Sequence, residues 1–393
     1  MPKTSNQFAN ISDFNDKAAE LAAARQHLHA YPELSFQEHE TAAFVAERLE
    51  SWGYEVTRNV GGLGVVGRLR QGAGRSIAIR ADMDALPITE ATNLPYASQA
   101  SGKMHACGHD GHTTMLLGAA EYLARTRHFN GTVNLIFQPA EEAGKGSGAQ
   151  AMIADGLFER FPCDAIFGLH NHPGAPAGSF LMRAGPLMAA SDTVTIKITG
   201  RGGHASRPHL TVDPIVAAAN IIMTLQTVVS RNVNPIETAV VTVGTIHGGT
   251  ASNVIPEHAE ITLSVRSFSA EIRDRLEQRI CSIVALVAQA HGATAEIDYE
   301  RGYPVVINSE GETSFATDVA VELVGQDKVS VCPLIPGSED FSYFLEHKPG
   351  CFLRLGNGED SAILHSSKYD FNDGNLTVGA ALWARLTERF LAA

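Results

Sequence analysis

The chain carries little positive charge. Its 393 residues include 30 lysine and arginine side chains against 43 aspartate and glutamate side chains, which gives a formal net charge of −13. Because a surface of this sign repels phosphate groups, we expect neither nucleic acid nor an anionic membrane as a partner. We also find no apolar run long enough to span a bilayer and no apolar segment of a secretory signal among residues 1–20.

Cysteine is scarce as well. The five cysteines are scattered and odd in number, so they do not suggest a disulfide framework and instead suit a reducing compartment. We therefore predict a cytoplasmic protein. Two motifs are absent, namely the Gly-x-Ser-x-Gly turn of serine hydrolases and the glycine pattern that binds phosphate. Neither a serine elbow nor a nucleotide is therefore indicated.

The length of the chain suits two domains. In the first half, short apolar runs typical of buried strands alternate with helical patterns. Strands are expected at 76–80, 133–137 and 165–168, and helices at 18–29, 39–52, 112–125 and 149–158. The pattern resumes near the end with a helix at 314–324, a strand at 351–355 and a helix at 377–391. This alternation predicts an α/β domain with a mixed, mostly parallel sheet covered by helices.

A different pattern separates these two parts. Strands at 194–198, 238–246, 259–268 and 294–299, with helices at 214–229 and 270–291, give the order β-α-β-β-α-β. This is the ferredoxin-like arrangement, and we predict an inserted satellite domain at 188–299. Residues 1–187 and 300–393 would then form a discontinuous catalytic domain.

The segment Cys107-Gly108-His109-Asp110 offers a thiolate and an imidazole two residues apart. In an extended loop these two side chains can converge on one divalent transition metal, whose usual ligands include both groups. The alternative is that Cys107 is a buried apolar thiol. His112 lies inside the pattern of a helix that we expect to begin near it, so we predict a structural role for that histidine.

Further polar side chains follow the three strands predicted in the first half. Asp82, the pair Glu141-Glu142 and His170 each come after one of these strands. In open α/β sheets, sites form at the carboxyl ends of the strands, so we expect these groups to meet at one edge. Together with the thiolate and imidazole of the preceding segment, they predict a metal-dependent hydrolase.

Glu141 and Glu142 are adjacent, and adjacent residues of an extended segment point to opposite sides. One carboxylate can therefore bind a metal ion while the other takes a proton from a water molecule that the ion activates. A solvated acidic turn is the alternative for such a pair. Its position directly after an apolar strand favours the catalytic interpretation.

Three polar residues of interest lie in the predicted satellite domain. His204 stands among glycines, which allow close approach of a ligand, and it can donate a hydrogen bond to a developing oxyanion. Arg266 can hold a carboxylate through two hydrogen bonds, and Asn253 lies near a turn of the same domain. From these residues alone, a loop histidine and a surface arginine are at least as good interpretations.

Taken in order, several segments resemble the metal-dependent amidohydrolases of the M20 peptidase family. The likeness is greatest to the branch of hippurate hydrolases, N-acyl-amino-acid amidohydrolases and auxin-conjugate hydrolases, and it extends from His29 to Asp373. As an ordered set the segments are highly specific. They are HAYPELSFQE, RADMDALP, MHACGHDGHT, FQPAEE, GLHNHP, GRGGHAS, HGGTASNVIP, GSEDF and LHSSKYDFND.

The resemblance implies a site with two divalent metal ions, zinc or manganese first, with cobalt and nickel as alternatives. The ligands that it implies are Cys107, His109, Glu142, His170 and His365. It implies Glu141 as the general base and His204 as the group that stabilises the oxyanion. Asn253 and Arg266 are implied to hold the carboxylate of the substrate. In such enzymes the histidine that stabilises the oxyanion often comes from a partner subunit, so we expect a homodimer or higher homo-oligomer. The satellite domain would then act as a lid or take part in dimerisation.

One position departs from the pattern of the wider family. Many relatives carry His-x-Asp where this chain has Asp82-Met83-Asp84, and Cys107 takes the place of the missing histidine. We expect Asp82 and Asp84 to orient His109 without binding metal themselves.

The resulting hypothesis is an amidohydrolase that cleaves the amide bond of N-acyl-L-amino acids, such as hippurate or N-acetyl amino acids. A dipeptidase or carboxypeptidase on the same scaffold is the first alternative. A metal-binding protein without catalysis is the second, and the spare carboxylate of Glu141 argues against it because binding alone needs no base.

Overall fold

The structure is a computed structural model that describes residues 8–392. Its α-helices are α1 (Ala18–Ala30), α2 (His39–Ser51), α3 (His109–Thr126), α4 (Gly148–Ala154), α5 (Leu157–Arg160), α6 (Pro214–Asn232), α7 (Ala270–Ala290), α8 (Glu310–Val324), α9 (Phe341–His347) and α10 (Asn375–Phe390). Its β-strands are β1 (Glu55–Val60), β2 (Gly64–Gln71), β3 (Ser76–Asp82), β4 (Gly131–Gln138), β5 (Ala165–Pro173), β6 (Phe180–Met182), β7 (Gly185–Met188), β8 (Ala190–Thr199), β9 (Gly203–His204), β10 (Ala239–Gly248), β11 (Val254–Ile255), β12 (His258–Ser267), β13 (Thr294–Arg301), β14 (Val306–Asn308), β15 (Val329–Val331) and β16 (Gly350–Gly358). The described residues form two compact units, one of 8–185, 307–333 and 340–392 and one of 186–306 and 334–339.

The described part of the first unit is built on an eight-stranded sheet in the order β1-β2-β4-β3-β5-β16-β6-β15. Its centre is parallel, because β3 lies between β4 and β5, and β5 is followed by β16. The pairs β1–β2 and β2–β4 are antiparallel. Almost every residue of β3 is buried, as is usual for parallel strands covered on both faces. The predicted mixed, mostly parallel sheet is confirmed.

Three helices of the first unit pack closely at Gly118 of α3. A Cβ atom at this position would lie 3.0 Å from the Cβ of Ala380 in α10 and 3.1 Å from Cδ2 of Leu21 in α1. Glycine therefore lets the three helices approach more closely than a residue with a side chain would. Most of α3 is buried as a result, and this fixes the helix that begins with His109.

Two elements of the first unit differ from prediction. The helix predicted at 149–158 is two helices, α4 and α5, because Gly156 between them adopts a left-handed conformation with φ +77°. Strand β1 escapes prediction because its residues are mostly exposed or half-buried, so it has no apolar run. It is held by antiparallel pairing with β2.

The second unit contains a four-stranded antiparallel sheet in the order β10-β12-β8-β13. Helices α6 and α7 share one apolar core with this sheet, in which Ile221 and Ile280 pack with Val194 and Ile196. Apart from the short pair β9–β11, the chain order is β8-α6-β10-β12-α7-β13. The predicted ferredoxin-like arrangement of this part is confirmed.

Helix α6 corrects one expectation. By length and composition alone it could cross a membrane, although we expected no such apolar run. In the structure, Ala217, Ile221 and Leu225 instead contribute one face of α6 to the core of the second unit. An amphipathic helix on an antiparallel sheet accounts for this composition.

The segment 334–339 belongs to the second unit although it is remote in sequence from the rest of that unit. The Ala189 N–H donates to the carbonyl oxygens of Ile335 at 3.1 Å and Gly337 at 3.0 Å. Backbone pairing of this kind leaves no side-chain pattern in the sequence. The segment 334–339 therefore lies outside the predicted boundaries of the satellite domain. The catalytic and satellite roles of the two parts stay predictions.

Candidate metal centre

Cys107 and His109 are presented by the start of helix α3. Cys107 lies in the preceding loop, and His109 is the first residue of the helix, which begins three residues earlier than we expected. Gly108 between them has φ +90°, and a Cβ there would lie 2.4 Å from Nδ2 of Asn171 and 2.5 Å from the hydroxyl of Tyr369. Only glycine fits this crowded left-handed position, so it sets the directions in which the thiol and the imidazole point.

His170 lies next to the thiol. It is part of β5 rather than following it, because the strand continues to Pro173. The Nε2 atom of His170 is 3.3 Å from Sγ of Cys107. Its Nδ1 donates to the Asn171 carbonyl at 2.8 Å, which leaves Nε2 as the nitrogen available to a ligand.

His109 is held in a similar way by a carboxylate. Its Nδ1 is 3.2 Å from Oδ1 of Asp84. The other oxygen of Asp84 accepts hydrogen bonds from the hydroxyl of Ser35 at 2.7 Å and from the Glu142 N–H at 3.0 Å. The Nε2 atom of His109 is buried and has no hydrogen-bond partner within residues 8–392. An imidazole nitrogen in this situation is suited to a metal ion.

Glu142 and His365 complete the cluster from a second direction. The Nε2 atom of His365 is 3.1 Å from Oε1 of Glu142, and the His365 side chain is 52% exposed. Potential ligand atoms lie within 4.8 Å of one another in two groups that share Cys107. These groups are Cys107, His109 and His170, which we call the buried group, and Cys107, Glu142 and His365, which we call the outer group.

Glu141 lies beside these groups, in a turn of unexpected shape. The two glutamates are not in an extended segment, because Glu141–Ala143 is a 3-10 helix that follows Ala140 in a left-handed conformation with φ 53°. The turn still gives the carboxylates different environments, since Glu141 is buried and Glu142 is half-buried. One oxygen of Glu141 accepts a long hydrogen bond of 3.4 Å from the Asp340 N–H.

Asp82 and His112 form a buried pair behind the cluster. Oδ1 of Asp82 lies 2.6 Å from Nδ1 of His112, and Nε2 of His112 accepts from the Asn171 N–H at 3.0 Å. Oδ2 of Asp82 is 3.7 Å from Nε2 of His109. The pair therefore ties the end of β3 to α3 and to the strand that carries His170.

Sequence reasoning missed the arginine that neutralises this carboxylate. Arg80 donates to Asp82 at 2.7 Å, to Asp340 at 3.0 Å and to Gln138 at 2.8 Å. Asp340 lies in the GSEDF segment and Arg80 is the first residue of RADMDALP, so both belong to segments of the family pattern. Their ion pair could not be predicted from the sequence, because 260 residues separate the two side chains.

The electrostatics of the cluster reflect burial and opposing charges. Burial raises the pKa of the Cys107 thiol, and burial lowers the pKa of His170. Burial would also lower the pKa of His109, but Asp82 and Cys107 outweigh it and raise that pKa. Hydrogen bonds to Cys107 and Glu142 raise the pKa of His365 to about 10. A thiolate, imidazoles and a carboxylate at this spacing are the donors that zinc and related divalent ions bind, so the residues fit such ions.

The other candidate residues lie in the second unit. His204 is exposed in β9, where its Nδ1 accepts from the Ser206 N–H at 3.1 Å. Asn253 is close to it, because its carbonyl accepts from the Ala205 N–H at 3.0 Å. Arg266 lies in β12 and donates to the Val265 carbonyl at 3.1 Å, and burial lowers its pKa. The structure therefore brings His204 and Asn253 together. It does not bring Arg266 to them, because Arg266 lies near the other end of β12, where it pairs with Ser191.

Comparison with known proteins gives consistent matches along the whole chain. The pattern of peptidase family M20/M25/M40 matches residues 78–389. A hippurate hydrolase of Campylobacter jejuni is 46% identical, covering 97% of this chain and 99% of its own length. Thermostable carboxypeptidase 1 of Saccharolobus solfataricus is 37% identical, covering 99% and 98%. A solved Bacillus subtilis structure, described as a dinuclear metal-binding peptidase of the M20 family, has a TM-score of 0.83 and 36% identity, covering 95% of this chain and 98% of that chain.

Proposed function

Because this chain belongs to the peptidase family M20/M25/M40 and is therefore a hydrolase of amide bonds, we propose that it removes the acyl group from N-acyl-L-amino acids. Hippurate-like and N-acetyl amino acids are the substrates that we favour. The observation that carries the proposal is the convergence of five potential metal ligands next to the buried carboxylate of Glu141. The 46% identity to a hippurate hydrolase supports this choice of substrate class.

We assign the residues of the buried group and of the outer group as those that would hold two divalent ions. When bound, such ions lower the pKa of a water molecule and polarise the substrate carbonyl. Zinc is the first candidate because of the thiolate, and manganese, cobalt and nickel are alternatives. Asp84 and the Asn171 carbonyl hold His109 and His170 with Nε2 facing the ligand position. We assign Asp82 and Asp84 to orientation of His109 rather than to metal binding.

Glu141 is the general base in this proposal. Its carboxylate accepts a proton from the attacking water and later gives it to the amine that leaves. Burial keeps the carboxylate away from bulk solvent, and the neighbouring Glu142 is assigned to the metal. The two adjacent glutamates thereby take different roles.

The remaining assignments concern the substrate. Arg266 is half-buried and donates to the Val265 carbonyl, and we assign its guanidinium to the carboxylate of the substrate. We assign Asn253 to the same task. We assign His204 to stabilising the oxyanion. We infer that the protein is a homodimer or higher homo-oligomer in which the partner subunit supplies this histidine. The satellite domain would act as a lid or take part in dimerisation. A cytoplasmic location agrees with five unpaired cysteines.

The direct test is Glu141→Gln, which keeps the shape of the side chain and removes its basicity. We expect turnover of hippurate or N-acetyl amino acids to fall by about 10²–10⁴-fold, because general base catalysis contributes that much. Metal content, measured by elemental analysis, should not change. Retained turnover would contradict the role of Glu141 as the base. Loss of metal would indicate that Glu141 is a metal ligand instead.

A carboxypeptidase is the second candidate, because thermostable carboxypeptidase 1 is 37% identical over almost the whole chain. Dipeptides and N-acyl amino acids with the same C-terminal residue should be compared as substrates. A higher kcat/KM for the acylated amino acid supports the proposal, and a higher value for the dipeptide favours the alternative. No chelator-sensitive turnover of either class would indicate a binding protein.

A further inference from the structure

We propose that Glu38 is a positioning residue that holds the turn carrying Glu141 and Glu142 in its working shape. This inference rests on the proposed role of Glu141 as the base. It concerns the short segment 35–38 between helices α1 and α2, to which the proposed function assigns no part. Glu38 touches neither the reacting atoms nor the metal ligands, so it acts through the backbone of the turn.

Glu38 is placed where a helix-capping side chain is expected, but it does not cap its helix. It stands at the N-cap of α2, and its side chain makes no capping hydrogen bond. Glu33 does this instead, because its carboxylate accepts from the N–H groups of Glu40 at 3.1 Å and Thr41 at 2.9 Å. The side chain of Glu38 is thereby free to turn into the protein, where it is fully buried.

The buried carboxyl of Glu38 contacts the turn directly. Its Oε1 accepts from the Ala140 N–H at 2.8 Å, across 102 residues of sequence, and from the Phe36 N–H at 3.0 Å. Its Oε2 is buried without a hydrogen-bond partner within residues 8–392. A polar group with an unsatisfied atom destabilises a fold, so stability alone would favour an apolar residue here.

Ala140 is the residue that needs such support. It is fully buried and has φ 53° and ψ 45°, a left-handed conformation that is unfavourable for any residue with a Cβ. Strained backbone of this kind persists only where its surroundings fix it. The carbonyl of Ala140 accepts from the Gly148 N–H at 2.9 Å, and Glu38 holds the N–H on the other side. If Ala140 relaxed, the following carboxylate of Glu141 would point in another direction.

A second contact of the same segment holds the far end of the turn. The Ser35 hydroxyl donates to Oδ2 of Asp84 at 2.7 Å, and the same oxygen accepts from the Glu142 N–H at 3.0 Å. The turn is thus held at residue 140 by Glu38 directly and at residue 142 through Asp84. Burial and then the nearby Asp84 raise the pKa of Glu38 to about 7. The neutral acid still offers a carbonyl oxygen to Ala140, so an amide should be able to replace it.

The test compares Glu38→Leu with Glu38→Gln in the metal-loaded enzyme, using the N-acyl amino acid that the wild-type protein turns over. Leucine fills a similar volume without an acceptor, and we expect kcat to fall by about 10²-fold, as displacement of a catalytic group by about 1 Å does. Glutamine keeps the acceptor and should remain within about threefold of wild type. KM and metal content should stay constant, because Glu38 touches neither substrate nor ligands.

Two further variants separate positioning from stability. Glu33→Gln is the matched control, because it alters the cap of α2 and should lower the melting temperature without changing kcat. Ala140→Gly added to Glu38→Leu should recover about tenfold in kcat, since glycine adopts the left-handed conformation without strain. Loss of packing at residue 38 would not be recovered by a change at residue 140. If Glu38→Leu does not fold, Glu38→Ala takes its place with the same expectations.

Wild-type kcat in Glu38→Leu, or an equal loss in Glu38→Gln and Glu38→Leu, would overturn the inference. So would a double variant with no recovery. Glu141→Gln is measured beside these variants to keep the two proposals apart. An active Glu141→Gln variant contradicts the role of Glu141 as the base, whereas an inactive one together with an active Glu38→Leu variant contradicts the role of Glu38 alone.

Discussion

The buried group and the outer group of the candidate metal centre differ in how their histidines are held. In the buried group, the side chains of His109 and His170 are buried, and the Nδ1 atom of each forms a hydrogen bond with a protein oxygen. In the outer group, His365 is 52% exposed and has a positive φ of 63° in a loop. Side chains fixed by packing and hydrogen bonds are preorganised for a ligand, and an exposed one is not. The histidines of the buried group are therefore held more firmly before a ligand binds than the histidine of the outer group.

Removal of the shared thiolate should have the largest effect, because it breaks both groups at once. We expect Cys107→Ala to lose turnover below detection and to bind less than one divalent ion per subunit, as measured by elemental analysis. Cys281→Ala is the control, since that thiol is half-buried on α7 in the second unit. Full metal content in the Cys107 variant would contradict the shared ligand.

The difference between the groups predicts unequal results for their histidines. After dialysis against a chelator, His365→Ala should keep about one ion per subunit, because the buried group remains intact. His170→Ala should lose more metal, because only the adaptable outer group is left. Both variants should be inactive. Equal metal content in the two variants would show that the two groups bind metal with similar strength. That result would contradict the predicted difference between them.

The smallest effect concerns a histidine that supports the buried side. His29 of α1 lies 2.8 Å from Asp110, the residue after His109, and 3.3 Å from Glu90. Burial and the nearby Arg25 lower the pKa of His29, but the hydrogen bonds to the two carboxylates outweigh them and raise it to about 9. The protonated form therefore stabilises the fold fully below pH 6.5, and this contribution is lost as the pH rises through about 9.

A shift of this size corresponds to a free energy of unfolding on the order of 3 kcal/mol. We expect the melting temperature to fall between pH 6.5 and 9 and the fall to be shallower in His29→Gln. His27→Gln on the same helix is the control and should keep the wild-type slope. Parallel slopes for wild type and His29→Gln would contradict the assignment.

Local patterns were enough to predict much of the fold. The apolar runs that form β3, β4 and β5 predicted the mostly parallel sheet of the first unit. The order of helices and strands in the second unit predicted its ferredoxin-like arrangement. Prediction failed where backbone geometry decides, as at Gly156, which divides α4 from α5. It also failed at Gly108, whose left-handed conformation lets α3 begin directly at His109.

For the site, the resemblance to the family implied the side chains that lie close together in the first unit, and their roles as metal ligands stay a prediction. The shape of the Glu141 turn was not predictable, because a left-handed Ala140 has no signature in the sequence. The supporting contacts were not predictable either. Glu38 with Ala140 and Arg80 with Asp340 join residues more than 100 positions apart, and nothing local indicates them.

A crystal structure of the metal-loaded protein with anomalous diffraction tests the central assignment most directly. We predict two ions about 3.5–4 Å apart. Sγ of Cys107 should lie within bonding distance of both, with His109 and His170 on one ion and Glu142 and His365 on the other. A single ion, or ions bound away from Cys107, would contradict the account.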